Sequence, residues 1–259
     1  MSTRRMPTRN RGLREQAAAA CVFFALLPAT SHAQENAERS IGVPTHEMPE
    51  DPFNRAIRVN ELEALNADDT TDLRWDISGW VGRSLDRFTI RTEGERSGGS
   101  TEEAEVQLLW THAVARWWDV VGGARSDFAP GSGKSWAAFG VQGLAPYRFE
   151  VEATAFVADA GDTAARIEAE YDLLMTPRLI LQPQIELNWY GQTDVSRGQG
   201  AGLSDGEAAL RLRYEIKREI APYVGIVRRK LWGDRADAAR AAGHDADDTS
   251  LVAGVRLRF

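Results

Sequence analysis

The residues best suited to hold a metal ion are a histidine and a methionine two positions apart, His46 and Met48. An imidazole nitrogen and a thioether sulfur at this spacing could share one soft transition-metal ion. Two ligands do not close a tight site by themselves, and the alternative is a spacer in which both residues are incidental. The pair is therefore a candidate site that needs further ligands from elsewhere in the chain.

Two other residues could supplement this pair. The strand pattern described below places His112 and Met175 near the same end of the predicted fold, where they would add an imidazole and a thioether. His112, however, falls on the same face as Trp110, so the alternative is a residue of the outer surface. His244 lies among the acidic residues of a long connection, where a solvated loop is the simpler interpretation.

A larger group of charged residues alternates with apolar residues, so that the charges of each segment share one face. If that face lines the interior of a barrel, its carboxylates could draw cations inward. The members are Asp76, Glu93, Glu95, Glu103, Glu105, Asp127, Glu150, Glu152, Glu168, Glu170, Asp172, Glu186, Arg211, Arg213, Arg256 and Arg258. A polarised pore and an ion-pair network that fills a narrow barrel both remain possible, because a barrel of intermediate size allows either.

The elements that carry these residues follow a period of two. Leu179, Leu181 and Ile185, for example, fall on one face, opposite Gln182 and Gln184. The pattern predicts strands over 55–65, 73–82, 85–95, 102–113, 117–127, 135–145, 148–158, 164–174, 178–190, 206–216, 220–231 and 250–259. Such lengths suit strands that cross a membrane at a tilt. We therefore expect an all-β fold, a transmembrane antiparallel β-barrel of about 12 strands.

Aromatic residues and connection lengths support the same interpretation. Tryptophans and tyrosines cluster near segment ends, as they do in interfacial girdles, and the last segment ends in Phe259. We expect short turns after the even-numbered strands and longer links after the odd-numbered ones, the longest being 191–205 and 233–249. This asymmetry is typical of bacterial outer-membrane barrels and places both chain ends on the periplasmic side.

Composition excludes several other classes of protein. The 259 residues carry a net charge of −7, whereas nucleic-acid-binding domains are normally basic, so we expect no nucleic-acid partner. The longest apolar run, residues 17–27, is too short for a membrane-spanning helix. The single cysteine, Cys21, excludes a disulfide scaffold. No serine nucleophile motif or phosphate-binding loop is evident, and we expect the protein not to be an enzyme.

The N-terminal region is predicted to be an export signal rather than part of the fold. Residues 1–14 are arginine-rich, residues 17–27 are apolar, and residues 31–33 supply a small-residue cleavage site. We expect a secretory signal peptide over 1–33, a flexible periplasmic segment over 34–54 and an outer-membrane β-barrel over 55–259. Outer-membrane lipid is then the main partner.

The barrel region resembles the copper resistance protein B family. The resemblance is carried by residues 91–102, 136–147, 149–154, 169–174, 179–183, 202–205, 212–216, 221–225 and 238–243. It implies an outer-membrane barrel that works in copper resistance beside a periplasmic multicopper oxidase, with a copper ion transported or transiently bound. Family members usually carry a Met/His-rich segment before the barrel, whereas this chain offers only His46 and Met48 there.

The sequence and the resemblance together predict a copper resistance protein of the cell outer membrane of a Gram-negative bacterium. We expect it to bind or conduct copper ions across that membrane as part of copper homeostasis. Two alternatives stay open. One is a general small-solute channel, and the other is a docking platform for periplasmic copper proteins that binds no copper itself.

Overall fold

A computed structural model describes residues 51–67, 70–129, 131, 133–159 and 161–259. The predicted signal peptide, His46 and Met48 lie outside these residues. The described part contains thirteen strands and one α-helix. The strands are β1 (Asn54–Ala67), β2 (Thr70–Gly82), β3 (Asp86–Ser97), β4 (Ser100–Ala115), β5 (Trp118–Ala129), β6 (Lys134–Leu144), β7 (Glu150–Ala158), β8 (Thr163–Glu170), β9 (Leu173–Leu174), β10 (Leu179–Tyr190), β11 (Gly202–Tyr214), β12 (Ile220–Leu231) and β13 (Asp247–Arg258), and the helix is α1 (Gly233–Ala241).

The strands close into an antiparallel barrel. Each long strand pairs with its neighbours in chain order, β10 pairs with both β8 and β11, and β1 pairs with β13. The two short pieces β8 and β9 lie along β10 and together act as one strand, so the barrel has twelve strands, as predicted. Among the described residues, closure gives every strand but the two-residue β9 a partner on both sides, which a membrane requires because lipid offers no hydrogen bonds.

The seam of the barrel joins β1 to β13. The amide of Ile57 donates to the carbonyl of Phe259 at 2.9 Å, and the amide of Phe259 donates to the carbonyl of Ile57 at 2.8 Å. Further along, a bulge between Val59 and Glu63 shifts the pairing of the two strands. Because of the bulge, the consecutive residues Asn60 and Glu61 both face the interior, so the alternation of interior and exterior residues is broken at this point.

The two faces of the barrel wall differ in polarity. Leu108, Phe139 and Leu251 are among many large apolar side chains that the outer face exposes. The interior instead buries charged groups such as Arg125, Arg211 and Glu63. This distribution reverses that of a water-soluble protein and fits a lipid-facing exterior around a polar lumen. Within the described residues, no helix is long and apolar enough to cross a membrane.

The connections correct the sequence-based expectation in part. Longer links were expected after every odd-numbered strand, but β3 and β4 are joined by the two-residue turn Gly98–Gly99. The links 130–133 and 159–162 have four residues each. Of the expected long links, 191–201 and 232–246 are long in the structure. In the other hairpins the backbone hydrogen bonds continue beyond the residues that alternate in hydrophobicity, so the strands are longer and the links shorter than expected. The predicted strand 164–174 is also interrupted, at residues 171 and 172.

Candidate functional site

The lumen contains two chambers that share part of their lining. The loop-side chamber lies at the end of the barrel that carries the long connections 191–201 and 232–246. The terminal-side chamber lies at the opposite end, where the last residues of β13 pair with the first residues of β1. The terminal-side chamber has a volume of about 480 Å³. Five residues line both chambers, and we call them the waist: Glu61, Asp76, Glu93, Glu168 and Gln184. Four of the five carry a carboxyl group.

The loop-side chamber is acidic although its arginines are paired. Eleven carboxyl side chains and six arginines line it. Arg74 on β2 contacts Glu95 at 3.1 Å and Glu207 at 2.7 Å. Arg229 on β12 contacts the same Glu95 at 2.7 Å. The arginines therefore hold distant strands together, and an excess of five formal negative charges remains.

A second group of ion pairs crosses the lumen nearer the waist. Arg166 on β8 contacts Glu93 at 2.9 Å and Glu105 at 3.1 Å. Arg125 on β5 contacts Glu105 at 2.7 Å and Asp127 at 2.6 Å. Because Glu105 is shared between two arginines, β4, β5 and β8 are tied into one network across the lumen.

On the terminal side the pairing is less complete. Arg91 contacts Glu152 through both of its terminal nitrogens, at 3.1 and 3.0 Å. Arg213 contacts Asp172 at 2.8 Å. Arg256, in contrast, has no ion pair within the described residues, and its Nε has no hydrogen-bond partner.

Two carboxylates of the waist lack an ion pair in the described part of the chain. Asp76 accepts one hydrogen bond, from the Asn60 amide at 3.0 Å, and its Oδ1 has no partner. Glu168 accepts a hydrogen bond from the Gln184 amide at 2.7 Å. Amide donors supply no counter-charge, so the oxygen atoms of both groups are open to a passing cation.

The loop-side chamber is narrowed by the two long connections. Arg197, in a short turn of the 191–201 connection, is buried and lies 3.9 Å from Asp127. Arg235 of α1 contacts Asp205 and, at 3.3 Å, Glu103. Nearby, hydrogen bonds from Ser196, mainly from its hydroxyl, lower the pKa of Asp194. Both connections thus reach the acidic lining through an arginine.

The predicted soft ligands are not brought together in the described structure. His112 lies on the outer face, where its ring stacks on Trp110 with 5.5 Å between centroids and its Nδ1 lies 2.9 Å from Asp86. Met175 is exposed in the turn after β9. Neither residue lines a chamber, and His46 and Met48 lie outside the described residues. Among the described residues, no group of three His, Cys, Asp or Glu side chains is arranged to hold a metal ion.

Most of the charged residues predicted to face the lumen are found in its lining. Thirteen of the sixteen line one chamber or both, whereas Asp172, Arg213 and Arg258 line neither. The charged lining residues that the prediction missed include Glu61, which follows the bulge in β1, and Arg74, which lies in phase with Asp76 on β2. The alternation on β2 could have revealed Arg74, but the bulge hides Glu61 from a pattern of period two.

Comparisons with known proteins agree with this architecture. Residues 53–259 match the family described as "Copper resistance protein B precursor (CopB)". The chain is 53% identical over 214 residues to a copper resistance protein B homolog of Pseudomonas syringae pv. tomato, covering 83% of this chain and 73% of that protein. It is 48% identical over 214 residues to copper resistance protein B of Escherichia coli, covering 83% and 72% of the two chains.

Solved structures confirm the fold. A NanC porin superposes with a TM-score of 0.52 at 12% identity and covers 79% of this chain and 99% of its own. A KdgM porin superposes with a TM-score of 0.50 at 14% identity, with the same coverage. The closed barrel, its apolar exterior and these relatives place the protein in the cell outer membrane of a Gram-negative bacterium, as predicted. By the match over 53–259 and by its relatives, the chain belongs to the copper resistance protein B family.

Proposed function

We propose that the barrel conducts copper ions across the outer membrane through its acidic lumen. Family membership supports a role in copper resistance, and the family and the porin-like fold suggest a protein that is not an enzyme. The observation that carries the proposal is the waist, where Asp76 and Glu168 present carboxylates without an ion pair at the junction of the two chambers.

The chemistry of the lining suits passage better than storage. The acidic walls raise the local concentration of cations, because the surrounding barrel and lipid screen charge poorly. Carboxylate oxygens are hard ligands that hold copper less firmly than imidazole or thioether groups do. An ion must bind well enough to enter and weakly enough to leave, and isolated carboxylates meet both requirements.

The test compares copper entry into liposomes that contain the mature protein, with a copper-quenched dye inside. Asp76→Asn combined with Glu168→Gln removes both unpaired charges with little change of shape. We expect copper flux to fall by about tenfold, which corresponds to about 1.4 kcal/mol in the barrier. The control Glu102→Gln with Glu219→Gln removes two charges at exposed positions that line neither chamber.

The outcomes separate two functions. Loss of flux in the waist variant alone supports copper conduction. Equal flux in the two variants contradicts it and favours the general small-solute channel, which the superposition on two porins also favours. Entry of an uncharged sugar into the same liposomes measures that second function directly. No copper flux in the parent protein would overturn the proposal and favour a docking role beside a periplasmic multicopper oxidase.

A further inference from the structure

One wall of the terminal-side chamber presents a buried hydrogen-bond donor that nothing in the described chain satisfies. Arg256 of β13 is 9% exposed, and its Nε lacks a partner. Buried donors are nearly always satisfied by protein, water or a ligand. A guanidinium binds a carboxylate group through charge-assisted hydrogen bonds.

The same wall also presents an unsatisfied acceptor. Asp76 of β2 lines this chamber, and its Oδ1 has no hydrogen-bond partner. Asn60 of β1 lies between the two charges, because its amide donates to Asp76 and its position falls opposite Arg256 across the bulged seam. Arg256, Asn60 and Asp76 therefore form a lateral row over the adjacent strands β13, β1 and β2. The positive Arg256 and the negative Asp76 thus face the same cavity from strands whose backbones are roughly 10 Å apart, which is about two strand spacings.

The remaining charges of the chamber restrict the class of ligand. Arg91 and Arg211 already contact carboxylates. Eight carboxyl side chains and five arginines line the chamber, so a simple anion would meet a net repulsion. A ligand that carries both an ammonium and a carboxylate satisfies Arg256 and Asp76 together and adds no net charge.

We propose that the terminal-side chamber binds a small zwitterion of the α-amino-acid class. Its carboxylate lies against Arg256, and its ammonium lies against Asp76. A volume of about 480 Å³ accommodates such a molecule with water around it. The site shares Asp76 with the waist, but it needs no metal ion, so its binding is measured separately from copper conduction.

The test is calorimetry on the metal-free mature protein in detergent, with L-alanine as the probe. Acetate and ethylamine, which each carry one half of the zwitterion, are the matched ligands at the same ionic strength. We expect L-alanine to bind at least about tenfold more tightly than either half, because each half makes only one of the two charge-assisted contacts. Arg256→Gln and Asp76→Asn should each weaken L-alanine binding about tenfold.

Arg258→Gln is the control, since Arg258 lies two residues further along the same face of β13 and lines neither chamber. Unchanged binding in this variant supports the site. The proposal is overturned if acetate binds as tightly as L-alanine, if the parent protein binds neither, or if Arg258→Gln weakens binding as much as Arg256→Gln. Asp76→Asn keeps the size and shape of the side chain, so it tests the site in a protein that still folds.

Discussion

At the scale of single residues, the lumen depends on arginines that each contact more than one carboxylate. Among these arginines, Arg211 has the least exposed side chain, at 3%. It contacts Glu63 at 2.5 Å and Glu61 at 2.9 Å. Glu63 is fully buried. Removing one partner of a buried pair leaves an uncompensated charge, which costs more than the pair itself contributes.

Arg211→Met should therefore lower the free energy of unfolding by about 3 kcal/mol. Adding Glu63→Gln should restore part of that loss, because it removes one of the carboxylates left without a counter-charge. Urea unfolding from lipid vesicles, followed by tryptophan fluorescence, measures both effects. Arg228→Met, which breaks the exposed pair with Asp247, should change stability little. A double variant no more stable than Arg211→Met would contradict this account of Glu63.

At the scale of elements, the strands were predictable and the exceptions have physical reasons. Alternation identifies a strand wherever one face meets lipid and the other meets the lumen, as on β10. The helix α1 was not predicted, because its sequence has no amphipathic pattern. It packs against the barrel through one buried alanine, Ala236, and through the ion pairs of Arg235. Glu61 was missed for a different reason: β1 is otherwise a regular strand, but its bulge shifts the alternation by one residue at this point.

The outer face of β13 allows a test of the lipid boundary. Leu251, Val255 and Phe259 alternate with the lumen-facing Val252 and Arg256. Leu251→Arg and Val255→Arg should each cost about 2–4 kcal/mol if they lie near the middle of the bilayer, and Phe259→Arg about 0–1 kcal/mol at its edge. Refolding into lipid vesicles measures this profile. A cost that does not vary with position would mean that this face does not cross lipid.

At the scale of the whole molecule, we propose that two tasks fall to different parts of the chain. The described lumen offers oxygen ligands, which attract cations but do not prefer copper. The two soft side chains that the sequence places together, His46 and Met48, precede the barrel. We infer that selection of copper belongs to that segment and passage to the lumen. The sequence revealed the charges of the lumen through their regular spacing, but not the waist, because its members come from strands far apart in the chain.

This division predicts that the mature protein binds about one Cu(I) weakly and that His46→Ala with Met48→Ala removes most of that binding. Calorimetry with Cu(I) under a competing chelator is the measurement. Met175→Ala and His112→Ala, made separately, show whether either residue adds a ligand. If the double variant binds as the parent does, the copper contact lies with the carboxylates of the lumen instead.

The seam between β1 and β13 also determines when the barrel can form. The backbone contacts between Ile57 and Phe259 join residues about two hundred positions apart, the largest separation of any strand pairing in the described chain. Hairpins such as β3–β4 can form early from neighbouring residues, but their sheet keeps two open edges until β13 reaches β1. Insertion into the membrane and closure must therefore be coupled, and the nascent sheet needs protection from edge-to-edge association until the circle is complete.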